Sequence, residues 1–263
     1  MIKISNLSFK YKNSNLVLDN INFDIQDGQT IAIVGENGSG KSTLAKLISG
    51  ILKVKQGEIL IDDLDFSKKE EYKEAIKKVG IVFQNPENQI VFNNIYDELS
   101  FALKNLSKEE IDNRITSSLK KVNMYNYKNK DLYELSLGQK QRIAIAEILA
   151  KEPKYIVFDE PTTMIDSVGK EQIYNIIKEL KNEGYTIIYT TNLAEEILLA
   201  DRILILKNGR IQNEIKKEEL MKSVDILKQN NIKIPTVIQI AKELQIELKE
   251  FTIEELIMKI KSK

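Results

Sequence analysis

Cysteine, histidine and tryptophan do not occur among the 263 residues. Lacking cysteine, the chain can form no disulfide, no thiolate metal centre and no cysteine nucleophile. Lacking histidine, it has no histidine-based triad, and most zinc chemistry is excluded as well. No run approaches the ~18 apolar residues needed to span a bilayer. The first residues, Met1-Ile-Lys-Ile-Ser-Asn-Leu7, lack the apolar centre of a signal peptide. A location inside the cell is therefore expected, with any membrane role exercised by docking. Excess charge is missing too, because 39 Lys and Arg balance 39 Asp and Glu. A neutral chain has no global electrostatic footprint for nucleic acid, and no nucleic-acid partner is expected. What remains is an ordinary globular composition, 42% hydrophobic and 30% charged. Its length suits one large α/β domain, or one domain with a small appendage.

Glycine is scarce as well, at 11 residues, yet Gly35, Gly38 and Gly40 fall close together. The apolar run at 31–34 reads as a buried strand that breaks into Gly35-Glu-Asn-Gly-Ser-Gly-Lys-Ser-Thr43, where a helical pattern begins. Gly35, Gly40, Lys41 and Ser42 match G-x-x-x-x-G-K-[ST], a phosphate-binding loop between strand and helix. Glycines let the backbone curl, so that N–H groups across Glu36, Asn37, Gly38, Ser39 and on to Thr43 converge on phosphates at a helix N-terminus. In such a loop Lys41 reaches the β- and γ-phosphates, and the Ser42 hydroxyl ligates Mg²⁺. A nucleoside triphosphate is the expected ligand.

Around this loop the hydrophobic pattern alternates between strand and helix. Residues 2–10 and 16–25 read as antiparallel strands, and a helix runs from Lys41 to about Leu52. Further strands are expected at 58–61, 79–83, 155–158 and 186–190, with a helix at 167–182, the alternation of a parallel sheet with crossover helices. Residues 93–150 are helical in period, and Ser107-Lys-Glu-Glu110 reads as a capping box. Asn208-Gly209 between apolar runs marks a hairpin with a type I′ turn. Beyond 216 the pattern is helical, punctuated by Pro235 and a second capping box at Thr252-Ile-Glu-Glu255. The strand at 155–158 runs into Asp159 and Glu160. At the C-terminal end of a strand beside a phosphate loop, Asp159 can hold Mg²⁺ through water while Glu160 polarises the attacking water.

Leu135-Ser-Leu-Gly-Gln139 narrows the reading. It resembles the L-S-G-G-Q signature of ATP-binding-cassette (ABC) ATPases, with Leu137 departing from the usual glycine. The resemblance implies an α/β P-loop NTPase of the ABC type, with an antiparallel β subdomain, a helical subdomain at about 86–150 and a C-terminal helical extension. The cassette would cover 1–218 and the extension 219–263. It also implies roles. Ser136, Gly138 and Gln139 would grip the γ-phosphate of an ATP held by a second subunit, from a helix starting after Gly138. Tyr11 would stack on adenine, Gln84 would contact Mg²⁺ and the attacking water, and Asp166 would belong to the loop crossing between subunits. Asn192 stands where the family carries a histidine against the γ-phosphate. Residues 82–91 and the tail at 234–244 and 252–256 look like those of ATPase subunits of energy-coupling-factor transporters, importers of vitamins and transition-metal ions. The implied partners are a second ABC ATPase subunit, either a paralogue or another copy, a transmembrane coupling protein and a substrate-binding membrane protein. The implied place is peripheral, on the cytoplasmic face of the membrane. Two readings stay open for the tail, a dimerisation element or a helix pair packing on its own core. Two stay open for the activity, a hydrolysing subunit or a nucleotide-binding partner with little turnover of its own.

Overall fold

The structure, a computed structural model, describes residues 1–262; Lys263, the last residue of the expected extension, lies outside them. The chain runs β1 (Ile2–Lys10), β2 (Leu16–Ile25), β3 (Thr30–Val34), α1 (Lys41–Ile48), β4 (Gln56–Ile61), β5 (Leu64–Asp65), α2 (Lys69–Ala75) and β6 (Val79–Val82). It continues through α3 (Ile95–Phe101), α4 (Lys108–Lys121), α5 (Leu137–Ala150), β7 (Tyr155–Asp159), α6 (Ser167–Asn182) and β8 (Thr186–Thr191). The hairpin β9 (Arg202–Lys207) and β10 (Arg210–Lys216) follows, and α7 (Val224–Gln229), α8 (Thr236–Glu243) and α9 (Ile253–Lys261) close the chain.

Two sheets form. One is antiparallel, in the order β2-β1-β4-β5; the other is β10-β9-β3-β8-β7-β6, parallel except for the edge strand β10. The α/β architecture expected from the resemblance is the one found. Because side chains alternate across a strand, β3 sends Ile31 and Ile33 into a core shared with β1, β2, β4 and α1. Ala32 and Val34 point the other way, into a core made with α3 to α6. β3, β7 and β8 are buried at every residue, as parallel strands covered on both faces must be.

Local differences from the expectations have local causes. Helix α1 stops at Ile48 rather than near Leu52, because Gly50 turns the chain with φ +76°. Both capping boxes are half-formed. Ser107 accepts the Glu110 N–H, but the Glu110 carboxylate pairs with Arg114. Thr252 accepts the Glu255 N–H, while the Glu255 carboxylate takes the N–H groups of Lys249, Glu250 and Phe251. Asn208 and Gly209 both have positive φ, as a type I′ turn requires.

The tail is not a free-standing pair of helices. Leu220, Val224, Leu227, Val237, Ile238, Ala241, Ile246, Leu248, Phe251 and Leu256 are buried in the same core as the outer face of the large sheet. Pro235 gives α8 no side-chain cap, and Glu195 supplies one, accepting from the Thr236 N–H and hydroxyl at 2.9 and 2.8 Å. Among the described residues, no helix is long and apolar enough to cross a membrane.

Candidate functional site

The phosphate loop leaves β3 at the sheet's C-terminal edge, and the β9–β10 hairpin supports it from below. The Gly209 N–H donates to the Ser39 carbonyl at 3.1 Å. A Cβ on Gly35 would sit 2.2 Å from the Leu206 carbonyl oxygen, so only glycine lets the loop pass this strand. The loop opens on a cleft of about 440 Å³ lined by Val17, Asn37, Gly38, Gly40, Lys41, Ser42, Thr43, Gln84, Glu160, Thr163 and Asn192. Topology brings these together from five separate segments, while Gly35 and Ser39, members of the loop, are buried.

Lys41 is buried and fixed at the start of α1. Its Nζ donates to the carbonyls of Gly35 and Glu36 at 2.9 and 3.2 Å, and lies 3.3 Å from Glu160 Oε1. Glu160 follows β7 with φ +48°. Its other carboxylate oxygen accepts from Gln84 Nε2 at 3.4 Å and from the Thr163 hydroxyl at 3.3 Å. A carboxylate held by a cation, an amide and a hydroxyl is aimed rather than free, as a group that polarises water needs to be. Thr190, on β8, joins the two acidic residues. It donates to Asp159 Oδ1 at 2.8 Å and accepts the Glu160 N–H at 3.1 Å. Thr163, Thr190 and Val17 were not readable as site residues in the sequence, because each looks there like an ordinary strand or turn position. Asn192, exposed at the end of β8, donates from Nδ2 to Asn37 Oδ1 across the lip of the cleft at 3.3 Å.

Five residues singled out by the resemblance, Tyr11, Ser136, Gly138, Gln139 and Asp166, lie outside the lining of this cleft. Tyr11 does not line the cleft; it packs edge-on against Phe9 and bonds the Thr43 hydroxyl at 3.1 Å, leaving its ring partly exposed beside α1. Ser136 caps α5, which begins at Leu137 rather than after Gly138, so Gly138 already lies in the first turn. Gln139 completes the capping box by accepting the Ser136 N–H at 2.9 Å. Asp166 caps α6 through the Gly169 N–H at 3.0 Å. The two helix starts meet: a Cβ on Gly138 would lie 3.7 Å from the Gly169 Cα. Ser136, Gly138 and Asp166 thus share one surface, apart from the cleft that holds Lys41 and Glu160.

A P-loop cleft and a separate signature helix within one α/β chain call for comparison with known proteins. The profile of the family described as "ABC transporter" matches residues 18–163. The chain belongs to the ABC transporter ATPase family. It is 43% identical over 246 residues to the energy-coupling factor transporter ATP-binding protein EcfA1 of Fusobacterium nucleatum, covering 89% of this chain and 93% of that protein. It is 41% identical over 266 residues to EcfA1 of Ligilactobacillus salivarius, covering 98% and 94%. Among solved structures, it is similar to cbiO1 from Clostridium perfringens, described as part of the ABC transporter complex cbiONQ. The TM-score is 0.77 at 33% identity, covering 92% of this chain and 98% of that one. It is also similar to the ATP-binding cassette MJ0796 in a dimeric post-hydrolysis state with ADP and Pi. There the TM-score is 0.74 at 30% identity, covering 82% and 99%. The cassette is accordingly an ATP-binding ATPase whose hydrolysis is coupled to transport.

The residues present fit Mg²⁺ bound together with a nucleotide. Among the described residues there is no cluster of three or more carboxylates that would hold a metal alone. Mg²⁺ on a nucleotide needs only one or two protein ligands, the rest being phosphate oxygens and water. Ser42, Gln84 and, through water, Asp159 are the groups that would hold it, where it would neutralise charge developing on the phosphates.

Proposed function

We propose that this chain is one of a pair of ATPase subunits energising an energy-coupling-factor importer, with cargo of the vitamin or transition-metal class carried by membrane partners. The observation that supports the pairing is the division of the site. Lys41, Gln84, Glu160 and Asn192 face one cleft, whereas Ser136 and Gly138 start a helix on another surface. An ATP in the cleft therefore meets the N–H groups of a signature helix only when a second subunit supplies them, which makes closure on ATP a dimer event. Binding ATP between two chains and separating after hydrolysis would move a coupling protein docked near Gln84 and the helices of 93–150, on which Phe101 stands exposed. The similarity to EcfA1 and to cbiO1 supports the transporter class. On α9, Ile253, Ile257, Met258 and Ile260 remain exposed while Leu256 is buried, leaving an apolar face for subunit contact.

A second reading, a site of low turnover paired with a more competent paralogue, is favoured by Asn192. An amide cannot become cationic or shuttle a proton near neutral pH as a histidine can. Glu160→Gln tests the main reading. The carboxamide keeps the shape but cannot polarise water, so Mg·ATP should accumulate a stable closed dimer visible by light scattering. Nucleotide binding without any ATP-dependent dimer would count against it.

A further inference from the structure

Behind the cleft lies a carboxylate for which hydrolysis has no direct use. Glu196 is only 2% exposed, on the turn Ala194–Leu199 that follows Asn192. It has no salt-bridge partner among the described residues, and its partners are hydroxyls. The Thr162 hydroxyl donates to Oε1, Tyr174 Oη donates to the same oxygen at 3.1 Å, and the Thr191 hydroxyl lies near the carboxylate while accepting the Leu193 N–H. Tyr189 Oη reaches the Glu196 backbone carbonyl at 2.6 Å. Burial pushes the Glu196 carboxyl up from its usual value, and the three hydroxyls, with the charge of Lys170 farther off, pull it back. Burying an unpaired carboxylate is costly, and an apolar residue would fill the space at lower cost. Its contacts indicate a use for it.

Thr162 stands two residues after Glu160, and Thr191 immediately precedes Asn192. Between Glu160 and Thr162 is Pro161, and a residue before proline is pushed towards extended backbone. Glu160 nevertheless sits at φ +48°. Such a conformation persists only when its surroundings over-determine it. On one side Thr190 accepts the Glu160 N–H; on the other the chain is pinned at Thr162 by Glu196. We propose that Glu196 is a positioning residue for ATP hydrolysis, tying the Glu160 turn to the Asn192 turn so that both face the same phosphate. This rests on the reading of Glu160 as the water-polarising group.

The test uses the full-length chain assembled with its partner ATPase, measuring kcat and KM for Mg·ATP together with the melting temperature. Glu196→Gln keeps the shape and one acceptor oxygen but removes the charge that gathers three hydroxyls. A misplaced catalytic group costs about tenfold to a hundredfold in rate, so kcat should fall by about that much, with KM changed by no more than about twofold. Thr162→Val, which deletes the pinning hydroxyl, should reproduce the loss, and the double variant should lose no more than either single one. Tyr174→Phe removes a donor on the α6 side alone and should keep kcat within about twofold of the parent. Wild-type kcat in a folded Glu196→Gln or Thr162→Val chain would overturn the proposal. So would equal falls in melting temperature and kcat across all three variants, the mark of a structural role. Turnover surviving Glu160→Gln would instead sink the Glu160 assignment. An inactive Glu160→Gln beside a fully active Glu196→Gln would refute the positioning role alone.

Discussion

Replacing Asn192 by histidine puts the phosphate end of the cleft under direct test. Asn192 is exposed beyond β8, and one of its amide hydrogens is directed to Asn37 Oδ1 at 3.3 Å, across the mouth of a cleft of about 440 Å³. A larger ring therefore meets open space rather than packed core. A neutral hydrogen bond contributes about 0.5–1.5 kcal/mol and one from a charged donor about 1.5–3. The gain on moving from amide to imidazolium is thus about 1–2 kcal/mol, or about 5- to 30-fold in rate. A larger ceiling, ~10²–10³, applies if the amide gives the transition state no help. The measurement is phosphate release by the chain assembled with its partner, whose own catalytic glutamate is changed to glutamine so that only this chain's P-loop site fires. The gain should be greatest near pH 6 and fade as pH rises past ~6.5, where imidazole loses its proton. Fast turnover already present with Asn192, and unchanged by Asn192→His at any pH, would refute the reasoning.

Lys41→Ala should abolish tight Mg·ATP binding in calorimetry, because it removes the cation at the base of the loop and leaves Glu160 without its ion pair. Removing the chain from residue 220 onward should unfold the cassette, read by thermal melting and limited proteolysis. Nine large apolar side chains and Ala241 would leave a shared core; each large one contributes about 1.5–3 kcal/mol before the entropy of ordering the tail is subtracted, and a typical net stability of about 5–15 kcal/mol leaves little margin. Asp62→Asn should destabilise the fold by about 1–2 kcal/mol at neutral pH, allowing for solvent screening. Burial alone would raise the Asp62 carboxyl, but Lys154, the Met1 amino group, Tyr155 and Lys78 together hold it far below the usual carboxylate range. That stability is complete above about pH 4, the unfolded value. It is lost as pH falls towards the folded value, so the difference between parent and variant in acid melts should shrink below pH 4.

The P-loop strand, the loop and its helix were legible because one contiguous stretch carries them. The spacing of Gly35, Gly40, Lys41 and Ser42 is a local demand of phosphate binding. Asp159 and Glu160 could be singled out for the same reason, as carboxylates at the end of an apolar run. The Asn208-Gly209 turn announced its hairpin because only residues tolerant of positive φ allow that turn. Even the missing histidine was certain from composition, since no alignment can restore a residue the chain does not contain.

What tertiary structure decided depends on contacts between distant segments. That Tyr11 packs on Phe9 and bonds Thr43, a residue of the cleft wall, could not be read from the sequence, because the direction of a side chain leaving a strand end is set by its neighbours. The tail could be read from its periodicity as helical, but not as part of the cassette core; which face an amphipathic helix buries, and against what, is a three-dimensional fact. Thr190 joins Asp159 to Glu160 from an adjacent parallel strand, a pairing created by sheet order rather than chain order. Glu196 looked like one more acid in a charged turn. Only the fold, which closes Thr162, Tyr174 and Thr191 around it, makes it a buried carboxylate between the two turns that flank the cleft.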